Sequence, residues 1–226
     1  RIDCVLKLTD FVRATSNSPE ASMQKFMLTA IFLACGSLLS ASPFQVDGDS
    51  IYYDTINTEN VDGTEYGHEE ELLNLLKENR GIKTIHLNSS GGMIEPSQDM
   101  SAIIIDAGLD THVEFTCASA CVTMFLGGLN RTLDLGGKLG FHKSYWGSDS
   151  IKEYYDSQKE TEEWKSPFEF ASWLYEDTQA ELFVEFEYLL ERGVSPRFAI
   201  DTLKAGADGM WYPRRKQLLE AGLLTE

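Results

Sequence analysis

Lys83-Thr84-Ile85-His86-Leu87-Asn88-Ser89-Ser90-Gly91-Gly92-Met93 is the stretch on which the fold turns. Apolar and polar residues alternate from Lys83 to Asn88, the period of a half-buried strand, and Ser89 to Met93 is a glycine turn. Pro96 to Ala107 then reads as a helix closed by Gly108, completing a strand–turn–helix unit. A second unit follows: Thr111 to Phe115 as strand, Cys117 to Ser119 as a tight corner, and Ala120 to Leu126 as an apolar helix ending at Gly127-Gly128. Leu133 to Phe141 supplies further extended segments that end at His142. Strands and helices therefore alternate as in an α/β domain.

Working outward, Phe44 to Tyr53 reads as a hairpin around Asp47-Gly48-Asp49, and His68 to Arg80 as an amphipathic helix carrying Leu72, Leu73, Leu75 and Leu76. From Lys143 to about Pro167 the composition turns polar and aromatic, the signature of a lid or surface insertion. Phe168 to Arg192 is a long helix stopped by Gly193, and Ser195-Pro196 starts a short one. Trp211 to Glu226 closes the domain. Residues 143–196 thus form a helical, aromatic insertion within a single domain spanning 43–226.

Met23-Gln24-Lys25, the apolar run Phe26 to Leu39 and the small residues Ser40-Ala41-Ser42 are ordered as a secretory signal peptide, assigned to 23–41. The run is shorter than the ~20 residues of a membrane span. Residues 1–22 carry no core pattern and precede a methionine that suits initiation, so they read as an over-extended start or an unstructured segment. A periplasmic or secreted protein is expected; lipid anchoring at Cys35 is disfavoured by the bulky Phe32 and Leu33 before it. Without the leader only Cys117 and Cys121 remain, and in an oxidising compartment such a pair invites a disulfide. Free buried thiols are the alternative, and no second ligand pair suggests a metal. The formal charge of −17 excludes a phosphate-tracking surface, so nucleic acid is not an expected partner.

Ser119, in Thr116-Cys117-Ala118-Ser119-Ala120-Cys121, stands between small residues at a strand–helix joint. Such a joint exposes a hydroxyl near first-turn amides, where negative charge is favoured. A lone serine there is more often an N-cap. Gly91-Gly92 lets backbone N–H groups face an oxyanion, though alone it is an ordinary turn. The candidate donors are the amides of Gly92 and Met93. His142, at a strand end, can reach a neighbouring corner and act as general base. His68, His86 and His112 read as structural or exposed.

Asn88-Ser89-Ser90-Gly91-Gly92, Ala118-Ser119-Ala120, Gly128 with Arg131, and Gly140-Phe141-His142 occur in that order. The set resembles the proteolytic subunit of Clp protease and its exported relatives in the ClpP/crotonase superfamily. The resemblance spans 83 to 142 and, more weakly, Leu218 to Leu223. It implies a spiral of strand–strand–helix units, with Ser119 as nucleophile and His142, 23 residues later, as base. The glycine corner, Gly91, Gly92 and Met93, and the amide after the serine, that of Ala120, would form the oxyanion hole. The third triad member would be an aspartate near the C-terminus, for which Asp208 is the best match; Asp177, Glu191 and Asp201 are rivals. The reading is an exported serine peptidase or related acyl hydrolase acting on a peptide or protein, with no cofactor. No ATP-driven unfoldase is expected outside the membrane. The family forms rings, which raises a homo-oligomer, but no interface is legible. The alternatives are a degenerate binding module using the aromatic insertion, and a crotonase-type acyl-thioester enzyme.

Overall fold

The computed structural model describes residues 41–206 and 209–225. All of the assigned leader but its last residue therefore lies outside the described residues, and so does Asp208. No helix among the described residues is long and apolar enough to cross a membrane.

The architecture is mixed α/β. A five-stranded sheet runs β1 (Phe44–Asp47), β2 (Ser50–Asp54), β3 (Thr84–Asn88), β4 (Asp110–Val113), β6 (Arg131–Leu133), and a small second sheet pairs β5 (Thr116–Ala118) with β7 (Lys138–Gly140). Among the described strand pairs β1–β2 is antiparallel, and β2–β3, β3–β4, β4–β6 and β5–β7 are parallel. The two-residue alternation expected for β3 is realised: Ile85 and Leu87 are buried with Ile51 and Tyr53 of β2 and Val113 of β4. Their neighbours Tyr52, His86 and His112 lie on the opposite face of the sheet.

α1 (His68–Glu78) and α2 (Ile94–Ala107) cover the apolar face through Leu72, Met100 and Ile104. α2 begins two residues before Pro96, which the first turn accepts because its amides have no intrahelical acceptor in any case. Gly108 ends it with a left-handed φ of 65°, as its position suggested. Of the corner expected at Cys117–Ser119, Cys117 and Ala118 instead end β5, and the turn is made at Ser119. The chain thus makes two strands, β4 and β5, before α3 (Ala120–Leu126), one in each sheet. This strand–strand–helix unit carries Ser119 at its joint.

The insertion is helical, as expected. α4 (Ser148–Gln158) buries none of its residues, and α5 (Pro167–Glu191) is capped by Ser166, whose side chain accepts from the Glu169 amide. The two helices and the turn between them share an aromatic cluster: Trp164 lies 4.8 Å from Phe170 and 5.0 Å from Trp173, ring centre to ring centre. The insertion therefore holds itself together mainly by aromatic contact. α6 (Pro196–Asp201) and α7 (Arg215–Glu220) complete the domain.

Arg131, singled out in the sequence with Gly128, ties the C-terminus to the sheet. Its side chain is buried and donates to the carbonyls of Leu223 (2.8 Å), Gly222 (2.8 Å) and Leu126 (3.4 Å). Arg192, from the end of α5, donates to Leu126 (2.7 Å) and to Gly127 and Gly128. Two guanidiniums thus satisfy the open carbonyls where α3 ends. Arg131→Met should lower the free energy of urea unfolding by about 2–4 kcal/mol, because it strands buried acceptors. An unchanged unfolding midpoint would show that these bonds hold nothing together.

Candidate active site

Ser119 joins β5 to α3 with φ 56° and ψ −131°, a conformation that non-glycine residues rarely adopt. Strain of this kind costs of order 1–3 kcal/mol and persists only where surrounding contacts enforce it. Here its amide donates to Gly140 O at 2.9 Å, extending the β5–β7 ladder by one residue, and its carbonyl accepts from the Val122 amide at 2.9 Å. Cys117 and Cys121, both buried, form a disulfide across the serine, their Cα atoms 5.3 Å apart. The reversal at the elbow is what lets a strand residue and a first-turn residue approach so closely.

Although Ser119 occupies the N-cap position of α3, its side chain makes no capping bond. Its Oγ instead lies 2.8 Å from His142 Nε2. His142 follows β7, so the same strand pairing that seats Ser119 carries the imidazole to it. The other ring nitrogen, Nδ1, is 2.9 Å from the Lys143 carbonyl. A carbonyl only accepts, so Nδ1 carries the proton and Nε2 is left to accept from the serine hydroxyl. A backbone oxygen thus sets the tautomer; nothing in the side-chain pattern signals it.

Gly91 and Gly92 adopt φ values of 105° and 142°. A Cβ on Gly91 would sit 2.7 Å from both Ala118 O and Ser119 Cβ, so the corner lies directly against the serine. Thr64 holds it from behind: the Thr64 amide donates to Gly91 O (2.7 Å), and Thr64 O accepts from the Met93 amide (2.8 Å). Thr64 is itself held by the Tyr53 hydroxyl, 3.0 Å from its Oγ1 and 2.9 Å from His68 Nδ1, and burial raises the pKa of that phenol. Two expected oxyanion donors are therefore corrected. The Met93 amide is committed to Thr64, and the Gly91 amide to Ser89 Oγ at 3.1 Å. The amides of Gly92 and Ala120 meet no acceptor among the described residues. Thr64 was not anticipated, since a polar loop residue gives no sign of which carbonyl it will face.

After the insertion the chain returns to the histidine. Trp211 and Phe141 exchange backbone bonds (2.9 and 2.8 Å), and the Lys143 amide donates to Ala205 O. Asp208 falls between these anchors in sequence but outside the described residues. Of its rivals, Asp201 is held by Lys204 (2.9 Å) and Arg197 (3.0 Å), with Lys204 chiefly keeping its carboxyl below the usual range. Asp177 and Glu191 lie on α5, and no hydrogen bond or ion pair joins any of the three to His142 among the described residues.

No family model matches the sequence, and no curated protein does. Among solved structures the chain is similar to a ClpP1 mutant from Listeria monocytogenes, at 17% identity and a TM-score of 0.44, over 70% of this chain and 82% of that one. It is also similar to a protein described as an enoyl-CoA hydratase from Streptomyces coelicolor A3(2), at 11% identity and 0.46, over 81% and 65%. A peptidase from Plasmodium falciparum matches at 10% and 0.47, over 79% and 94%.

The strain at the elbow is measurable. Ser119→Gly and Ser119→Ala both remove the hydroxyl, but only glycine relieves the positive φ. The glycine variant should be the more stable of the two by about 1–3 kcal/mol in urea unfolding; equal stabilities would mean that the elbow is not strained.

Proposed function

We propose that this chain is a serine peptidase or related acyl hydrolase in which Ser119 is the nucleophile and His142 the general base. The observation that carries the reading is the 2.8 Å contact between Ser119 Oγ and His142 Nε2, made by a serine that caps no amide. Neutral His142 accepts the hydroxyl proton as Oγ attacks an acyl carbon, a contribution of roughly 10²–10⁴-fold to the rate. Negative charge develops on the former carbonyl oxygen, which the amides of Gly92 and Ala120 receive. The imidazolium returns its proton to the leaving group, and water, deprotonated by the same ring, releases the acyl group.

Asp208 is our candidate for the third member, stabilising the charged form of the imidazole that the Lys143 carbonyl orients. Support comes from the sequence pattern and from the backbone bonds of residues 205 and 211 to the segment bearing His142. The substrate we propose is a peptide or protein, reached outside the membrane. The leader-like segment supports export, and the cysteine bridge suits an oxidising compartment. On that reading no ATP-driven unfoldase feeds the site.

A fluorophosphonate probe should label the purified chain at Ser119, identified by peptide mass spectrometry. Labelling should vanish in Ser119→Ala and slow by at least about 100-fold in His142→Ala. Well-folded protein that resists the probe, or labels equally fast without His142, would refute the assignment.

A further inference from the structure

A second cluster of reactive side chains lies on the opposite face of the five-stranded sheet. Strand register sets Tyr52 beside His86, His86 beside His112 and His112 beside Thr132 in one row across β2, β3, β4 and β6. Glu114 follows His112 by two residues and so points to the same side. The His86 and His112 rings meet edge to face at 4.9 Å, and Tyr52 stacks on His86 at 4.4 Å. One nitrogen from each histidine and one oxygen of Glu114 lie within 4.8 Å of one another.

Second contacts orient the two rings differently. His112 Nδ1 is 2.7 Å from Thr132 Oγ1, which leaves Nε2, 3.5 Å from Asp134, as the nitrogen without a hydrogen bond. Metal-binding histidines are commonly held in this way through the other nitrogen. His86 Nδ1 is shielded from solvent, has no hydrogen-bond partner among the described residues, and stands 3.5 Å from Glu114 Oε1. Two donors on a tetrahedral ion are about 3.3 Å apart. The exposed Glu114 carboxylate is free to close the remaining distance.

From this geometry we infer that His86, His112 and Glu114 form a binding site for a divalent transition-metal ion of the zinc class. Two imidazoles and one carboxylate suit a borderline ion rather than calcium or magnesium, which prefer oxygen. His86 and Glu114 also line a cavity of ≈ 480 Å³ with Tyr52, Asn88 and Phe115, so a fourth coordination position opens onto space for water or a small ligand. The site stands apart from Ser119 and depends on no property of it.

Isothermal titration of the chelator-treated full chain with zinc chloride tests this. A site should appear that weakens at least about 100-fold in His86→Ala/His112→Ala and roughly tenfold in Glu114→Gln. Zinc should raise the melting temperature of the parent chain and not of the double variant. His86→Gln/His112→Gln provides the same comparison with size and polarity better preserved, should the alanine pair not fold. Zinc binding and thermal shift that survive loss of both histidines, or no zinc binding at all, would overturn the inference.

Discussion

The parallel pairing of β5 with β7, extended by the bond from the Ser119 amide to Gly140 O, is the constraint on which the candidate site depends. It sets the end of one strand against the end of the other, so that Ser119 and His142 emerge side by side. Each strand has only three residues, and such a pair is weak alone. It is held at both edges: the Ser89–Cys117 bridge ties it to the end of β3, and the Phe141–Trp211 bridge ties it to the returning C-terminal segment.

The same region stores strain and contains it. A positive φ at Ser119 turns the hydroxyl away from the helix amides and toward the imidazole, which is why the serine does not act as a cap. The disulfide, the Val122 bond and the Gly140 bond restrain the turn from three sides. Behind the glycine corner, Thr64 binds the Met93 amide and the Gly91 carbonyl, and Ser89 Oγ takes the Gly91 amide, so among the described residues the Gly92 amide is the one on that side left to meet a ligand. At the far end of α3, Arg131 and Arg192 satisfy the helix carbonyls, leaving the Ala120 end as its open pole.

Much of this was legible in the sequence because it rests on side-chain period and on glycine. The alternation over 84–88, the helical spacing of α1 and α2, and Gly108 as a stop each express a local rule that tertiary packing left intact. Ser119 and His142 were readable as a pair only through their ordered neighbours, since neither residue alone departs from an ordinary cap or strand-end histidine. β5 was missed because three residues are too few to display a period. The occupied amides of Gly91 and Met93 escaped for a related reason: amides carry no side-chain signal, and which of them stay open depends on Thr64 and Ser89. The Lys143 carbonyl that sets the His142 tautomer was hidden in the same way. The histidine row was invisible too, because only strand register places His86 beside His112.

The most direct measurement is a crystal structure of the chain reacted with a peptide boronic acid. A boron–Oγ bond at Ser119, with one boronate oxygen within about 2.7–3.1 Å of the Gly92 and Ala120 amides, is the expected result. A boronate bound elsewhere, or bonded to Ser119 with its oxygens turned to solvent, would contradict a catalytic elbow at this joint.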